Sequence, residues 1–302
     1  MNKDTLFKWL TALLAFIILL LGIGILVKLL ISSRLSFDVF GFKFIFSREW
    51  DPVQRLFGAL PFIWGTFVSA TLALIIALPI SIGIAIFLSE LAPIWMRQPV
   101  SFIIELLAAI PSVIYGLWGL FVLAPVMQQW VEPLLGKYLG FLPFFKGYPL
   151  GVGMLTGGII IAIMIIPTIS SISREVLSAV PQHQKEAALS IGMTRWEAIW
   201  RVMLPYGRSG IAGAIILGYG RALGETMAIT MVIGNTPSIS VSLFDPAYTI
   251  ASVIANEFTE ATDELYISSL IELGLILFFI TFTLNVIARF MLWRMKRFEE
   301  VR

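Results

Sequence analysis

The sequence predicts an all-α, polytopic membrane protein with about six transmembrane helices. Three observations carry that expectation. Apolar residues make up 58% of the chain and charged residues 13%. Its mean hydropathy is +0.92. Apolar stretches of membrane-spanning length recur along it, where a hydrocarbon core of about 30 Å requires about 20 helical residues. An ordinary soluble domain is about 45–50% apolar and about 25% charged. The composition therefore excludes a disordered chain, a nucleic-acid binder with a basic face, and most soluble enzymes. With 0 Cys and His183 as the single histidine, thiolate chemistry, His-cluster metal sites and Ser/His/Asp triads lack their parts. No cofactor or metal is expected in this chain.

The first apolar stretch, 9–31, follows Lys3 and Lys8. It is longer than the roughly 7–15 residues of a secretory h-region, and no A-x-A site follows it, so it reads as a retained anchor. With the polar segment behind it, this gives an anchor and external loop over 1–58. The remaining stretches, 60–88, 102–126, 150–172, 211–234 and 267–292, fall in a transmembrane domain of 59–293, followed by a tail of 294–302. Pro79, Pro111 and Pro167 sit inside these runs, and each removes a backbone hydrogen bond. Such interruptions suit a cavity, whose surroundings satisfy the freed carbonyls, and also match the general frequency of proline in membrane helices.

Basic residues set the expected orientation. Lys3 and Lys8, Arg97, five residues between Arg174 and Arg208, and five between Arg289 and Arg302 share one side. Arg34, Lys43, Arg48, Arg55, Lys137 and Lys146 share the other. Both termini and the fourth loop are therefore expected in the cytoplasm.

That fourth loop, about 173–209, is polar yet patterned. Pro181 suits a helix start, and Gly192 is placed to stop the helix that follows. Thr194 and Glu197 fit a capping box opening a second helix, with Trp196, Ile199, Trp200 and Met203 as its apolar stripe before Pro205 ends it. The pattern suits a loop packed on its own bundle or a docking element for a partner.

Glu186-Ala187-Ala188, then Gly192, then Val202-Met203-Leu204-Pro205 resembles the E-A-A-x3-G-x9-I-x-L-P loop of ABC importer permeases, with Val202 replacing Ile. The resemblance extends from about Gly65 to about Arg289. It implies the type I ABC importer permease fold, five core helices with an extra N-terminal one. It also implies that Glu186, Ala187, Ala188 and Gly192 couple the chain to a cytoplasmic ATPase. Glu186 could contact that partner or cap its own turn.

Arg221 lies about 15 Å along a helix from Ile211, near the centre of the bilayer. A guanidinium there costs at least about 2.5–3.5 kcal/mol and must face protein or water. Glu225 follows at i+4, with small residues nearby. Two readings are open: an anion pathway or gate, because the planar guanidinium matches an oxyanion, or a structural ion pair. Glu105 and Glu272, in or beside spans, are weaker pathway candidates, as is Glu257 in the acidic fifth loop. Ala247–Phe258 in that loop is apolar enough to dip back into the bundle.

Gly220-Arg221-Ala222-Leu223-Gly224-Glu225-Thr226 resembles the G-R-A-x-G-E-T segment of phosphate importer permeases. Glu105–Ser112 with Tyr115-Gly116-Leu117, Ala255–Phe258, and Glu272-Leu273-Gly274 are similar to that subfamily, and more to its C-type than its A-type subunit. The resemblance implies import of inorganic phosphate together with an A-type permease, a dimeric cytoplasmic ATPase carrying ATP and Mg, and an extracytoplasmic phosphate-binding protein. It also implies a bacterial-type inner membrane. The chain has no G-x-x-x-x-G-K-[ST] or H-E-x-x-H of its own. The alternatives are a permease for another oxyanion and a gradient-driven secondary transporter, in which inverted repeats are common.

Overall fold

The structure, a computed structural model, describes residues 3–299. The end of the expected tail, including Arg302, lies outside the described residues. The chain opens with α1 (Lys3–Ser32) and the short α2 (Arg34–Phe40). α1 is apolar on all sides and almost wholly exposed, with Ile18 at 71%, which suits a helix whose solvent is lipid. Serines join its foot to the last helix, α12 (Glu264–Glu299): the Ser36 N–H donates to Ser268 Oγ at 3.0 Å, and Ser268 Oγ donates to the Ser32 carbonyl at 3.0 Å.

α3 (Leu60–Ile86) and α6 (Met154–Ser178) form the centre of the bundle. Ala70, Ala73 and Ala77 recur at helical spacing on α3 and pack against Ile161, Ala162, Ile165 and Ile169 of α6. Small residues let two membrane helices approach closely. Pro79 and Pro167 both sit inside continuous helix. α3 ends in a wider, π-type turn at Phe87–Leu91.

Two expected spans are corrected. The stretch 102–126 is not one helix. α4 (Ile94–Ala109) stops because Pro111 forces Ile110 into extended geometry (ψ 128°). α5 then runs over Ser112–Leu139, through π-type turns at Gly119–Leu123 and Met127–Val131, and is the helix with spanning length. The stretch 211–234 is also divided. α9 (Leu204–Leu223) carries it to Leu223, Gly224–Thr226 leave the helix, and α10 (Met227–Val232) resumes it. Among the described residues, five helices are long and apolar enough to cross a membrane. The broken α9–α10 stretch, expected as a sixth, is not among them.

Outside the bundle core, α7 (Gln182–Ser190) and α8 (Arg195–Ala198) follow α6. Pro205 does not end the second of these helices, contrary to the expectation. A π-type turn at Ile199–Met203 widens the backbone ahead of the proline, so α8 continues directly into α9. In the fifth loop, α11 (Ile250–Glu257) folds back against the bundle. Thr249 and Ser252 form its capping box, and Thr66 Oγ1 of α3 accepts the Ile250 N–H at 3.0 Å.

Candidate functional site

α9 carries glycines on two faces. Gly210 and Gly218 abut α6, where an added Cβ would lie 2.5 Å from Val176 and 2.6 Å from Ile169. Gly213 and Gly220 meet nothing within 4 Å, and Gly224 meets only a carbonyl of its own helix. Gly213, Leu217, Gly220, Arg221 and Gly224 thus form an uncovered stripe at helical spacing. Arg221 is exposed on it and donates from Nη1 to Thr168 Oγ1 of α6 at 3.3 Å. The backbone break at 224–226 begins three residues beyond. At membrane depth, non-helical backbone is tolerated only against protein or beside a water-filled cavity.

The expected i+4 pair of Arg221 with Glu225 is not formed. The helix ends at Leu223, so Glu225 leaves the face on which Arg221 stands. Its Oε1 instead accepts the Ala228 N–H at 3.3 Å, at the start of α10. Among the described residues, the ion pairs join other groups.

The three weaker candidates separate. Glu105 lines a polar cavity with Arg97 and Arg174. Glu257 accepts hydrogen bonds from Trp50 Nε1 at 2.8 Å and the Tyr266 hydroxyl at 2.6 Å. It clasps the segment around Trp50 onto α11, beside an aromatic cluster of Trp50, Phe57, Phe62 and Tyr266. Burial, opposed by a hydrogen bond from Asn256 and reinforced by Glu257, pushes the nearby Tyr248 hydroxyl up to about 12. Glu272 is 5% exposed beside Ser36 at the junction of α2 and α12, and its Oε2 is buried without a hydrogen-bond partner. Glu257 therefore ties the segment around Trp50 to the bundle.

The glycine turn and the capping box of the fourth loop form as patterned. Gly192 turns at φ +86°, between α7 and α8. Thr194 Oγ1 accepts the Glu197 N–H at 3.2 Å, while Glu197 Oε2 accepts the Thr194 N–H at 2.9 Å. Those bonds from the Thr194 backbone and hydroxyl hold the Glu197 carboxyl below its ordinary value. Glu186 and Ala187 are exposed, and Ala188 is buried. Leu189, Ile191, Trp196 and Trp200 are exposed apolar side chains of the same two-helix unit. Lys185 Nζ meets Glu90 Oε1 at 2.6 Å and ties α7 to the end of α3.

Sequence reasoning missed Thr168, Arg97 and Arg174. The signal was present in Thr168-Ile169-Ser170-Ser171-Ile172-Ser173-Arg174, a run of hydroxyls ending in a cation on an otherwise apolar helix. Among the described residues, no group of three or more His, Cys, Asp or Glu could hold a metal ion.

A broken membrane helix bearing a guanidinium, continuous with a helical hairpin at its other end, defines a transport component. The chain belongs to the family of binding-protein-dependent transport system inner membrane components, which it matches over residues 77–297. It is 50% identical over 303 residues to the phosphate transport system permease protein PstC of Xylella fastidiosa (strain Temecula1), covering 99% of this chain and 93% of that one. The PstC protein of Mesorhizobium japonicum is 51% identical over 295 residues, 96% of this chain and 90% of its own length. Among solved structures, a bacterial alginate ABC transporter in complex with alginate pentasaccharide-bound periplasmic protein aligns with a TM-score of 0.60 at 18% identity, over 96% of each chain. The fold is that of the type I ABC importer permeases, and the chain is a multi-pass membrane protein.

Proposed function

We propose that this chain is the C-type permease subunit of a binding-protein-dependent importer of inorganic phosphate. The observation that carries the reading is Arg221: an exposed guanidinium on an uncovered, glycine-rich stripe beside a helix break. About half-identity to phosphate permeases over nearly the whole chain supports phosphate as the substrate. Arg221 offers the planar donor fork that a phosphate oxyanion accepts. Glu225, fixed to the start of α10, sets the geometry of the break and serves as part of the gate.

The apolar tip of the coupling loop around Glu186–Gly192 docks on a dimeric cytoplasmic ATPase, which holds ATP and Mg. An A-type permease covers the α9 stripe, and a phosphate-binding protein delivers substrate from outside. In this reading the chain divides into the anchor and external loop of 1–58, the transmembrane domain of 59–293 and the tail of 294–302. It sits in a bacterial-type inner membrane with both termini cytoplasmic, in keeping with the distribution of Lys and Arg.

The test is uptake of radiolabelled phosphate by vesicles containing both permeases and the ATPase, with binding protein outside. Uptake is expected only with ATP on the ATPase side. Uptake driven by an ion gradient without ATP overturns the importer assignment. Preferential uptake of sulfate over phosphate overturns the substrate.

A further inference from the structure

A polar cavity of about 410 Å³ lies between α4, the end of α3 and the last turns of α6. Arg97, Gln98, Ser101, Glu105, Arg174 and Ser178 line it. Arg97 Nε donates to the Ala92 carbonyl at 2.9 Å, and Arg174 Nη1 donates to the Ser101 hydroxyl. Each guanidinium is thus oriented by a neutral acceptor and keeps further N–H groups to offer. Among the described residues, neither forms an ion pair. Glu105 in the same lining balances one of these two cations and leaves the other for an anion.

Polar side chains of α6 lie between Arg221 and this cavity. Thr168 accepts the Arg221 hydrogen bond, and Ser171 and Arg174 follow at spacings of three on α6. Ser171 and Arg174 also line a narrow recess that shares Ser101 and Arg174 with the cavity and is too tight for a water in this conformation. From Thr168 to Arg174 the rise is about 9 Å at 1.5 Å per residue, toward the coupling loop.

We propose that this cavity is a second oxyanion site, which receives the phosphate group after it leaves Arg221. The inference rests on the phosphate reading above. Glu105 in the same lining leaves one net positive charge, which suits an exit station: binding along a pathway must be favourable enough for entry and weak enough for release. An anionic lipid headgroup carries the same chemistry. The hydroxyl track on α6 favours the free ion.

The experiment measures binding of radiolabelled inorganic phosphate to the whole importer, without nucleotide or binding protein. It compares nanodiscs of zwitterionic lipid with nanodiscs that include phosphatidylglycerol. An Arg221→Gln importer removes the first station, so the binding that remains belongs to the cavity. That binding is expected in zwitterionic discs. It should weaken at least about tenfold when Arg97→Gln and Arg174→Gln are added, the loss expected on removing charge-assisted hydrogen bonds. Arg97→Lys with Arg174→Lys should restore part of it, which separates a lost site from a lost fold. Absent binding in the Arg221→Gln importer, or binding indifferent to both arginines, overturns the site. Phosphatidylglycerol that copurifies only when both arginines are present, with no phosphate bound, assigns the cavity to lipid and overturns the exit role. Wild-type uptake is measured in parallel. An importer that carries phosphate without this binding overturns the exit site alone, whereas one that carries no phosphate overturns the parent reading.

Discussion

Arg221 meets Thr168 Oγ1 at 3.3 Å, and among the described residues no carboxylate lies within ion-pair distance of it. That arrangement lacks the Arg221–Glu225 ion pair that the structural reading needs, and it is compatible with the proposed pathway role. Breaking a buried ion pair costs about 3–5 kcal/mol because an uncompensated charge remains. Here the guanidinium is exposed in the isolated chain and, among the described residues, forms no ion pair, so its removal leaves no partner charge stranded within this chain. Arg221→Gln is therefore expected to leave thermal stability within about 1 kcal/mol of wild type, the ordinary range for a surface group. Phosphate uptake should fall by about 100-fold or more, the scale of removing an oriented donor from a charged intermediate. Arg221→Lys should stay impaired, since it keeps the charge and loses the planar fork. Adding Glu225→Gln should not restore uptake. Thermal unfolding and vesicle uptake on the same preparations check this, and a double mutant at wild-type rates would reject the pathway role. That Arg221 stands on a helix was legible from the apolar run around it. The position of Glu225 was not, because i+4 spacing brings groups together only where the helix persists, and here it ends at Leu223.

The two-helix coupling element shows which features a sequence can disclose. Its capping box involves Thr194 and Glu197, four consecutive residues apart from the rest of the fold, and it forms as read. Its glycine turn is equally local. What followed was not legible: Pro205 was expected to stop the helix, but the π-type turn at Ile199–Met203 absorbs the proline and fuses α8 to α9. The helix that carries Arg221 is thereby continuous with the two-helix element, so under the proposed ATPase docking a displacement of one moves the other. Loosening the turn should then uncouple transport without unfolding the bundle. Gly192→Ala is expected to cost about 1–2 kcal/mol, all of it backbone strain, since an added Cβ meets nothing within 4 Å at φ +86°. Thr194→Ala should cost about 1 kcal/mol through the lost cap. Both should reach the membrane, copurify less ATPase and lower uptake severalfold. The cap also has an acid limit. Because the folded Glu197 carboxyl is held low, its contribution is fully present above the ordinary glutamate value and is lost as pH falls through the lowered one. ATPase copurification across an acid series should therefore drop earlier in Thr194→Ala than in wild type. Equal coupling in all three proteins would show that the element is only a packed loop.

At the scale of the whole molecule, uncovered surfaces divide into two kinds. α1 exposes apolar side chains on every side and has no polar stripe, which is the pattern for lipid. The stripe on α9 combines small residues with a guanidinium beside broken backbone, and neither is stable against hydrocarbon. It requires protein or water across from it, and Gly213, Leu217, Gly220 and Gly224, spaced four, three and four, match the close seam that membrane helices form through small residues. None of this was legible in hydropathy, which records how apolar a stretch is and not which face a second chain will cover. The absence of cysteine makes the difference measurable, because a single introduced thiol reports unambiguously. Leu217→Cys, at a position 58% exposed in the isolated chain, is expected to crosslink to a co-expressed A-type permease and to resist a lipid-soluble maleimide in the assembled importer. Ile18→Cys, at 71% exposure on α1, is expected to react with that maleimide and not to crosslink. If Leu217→Cys reacts like Ile18→Cys in the complete importer, the stripe faces lipid, Arg221 has no aqueous path before it, and the transport role assigned to that guanidinium fails.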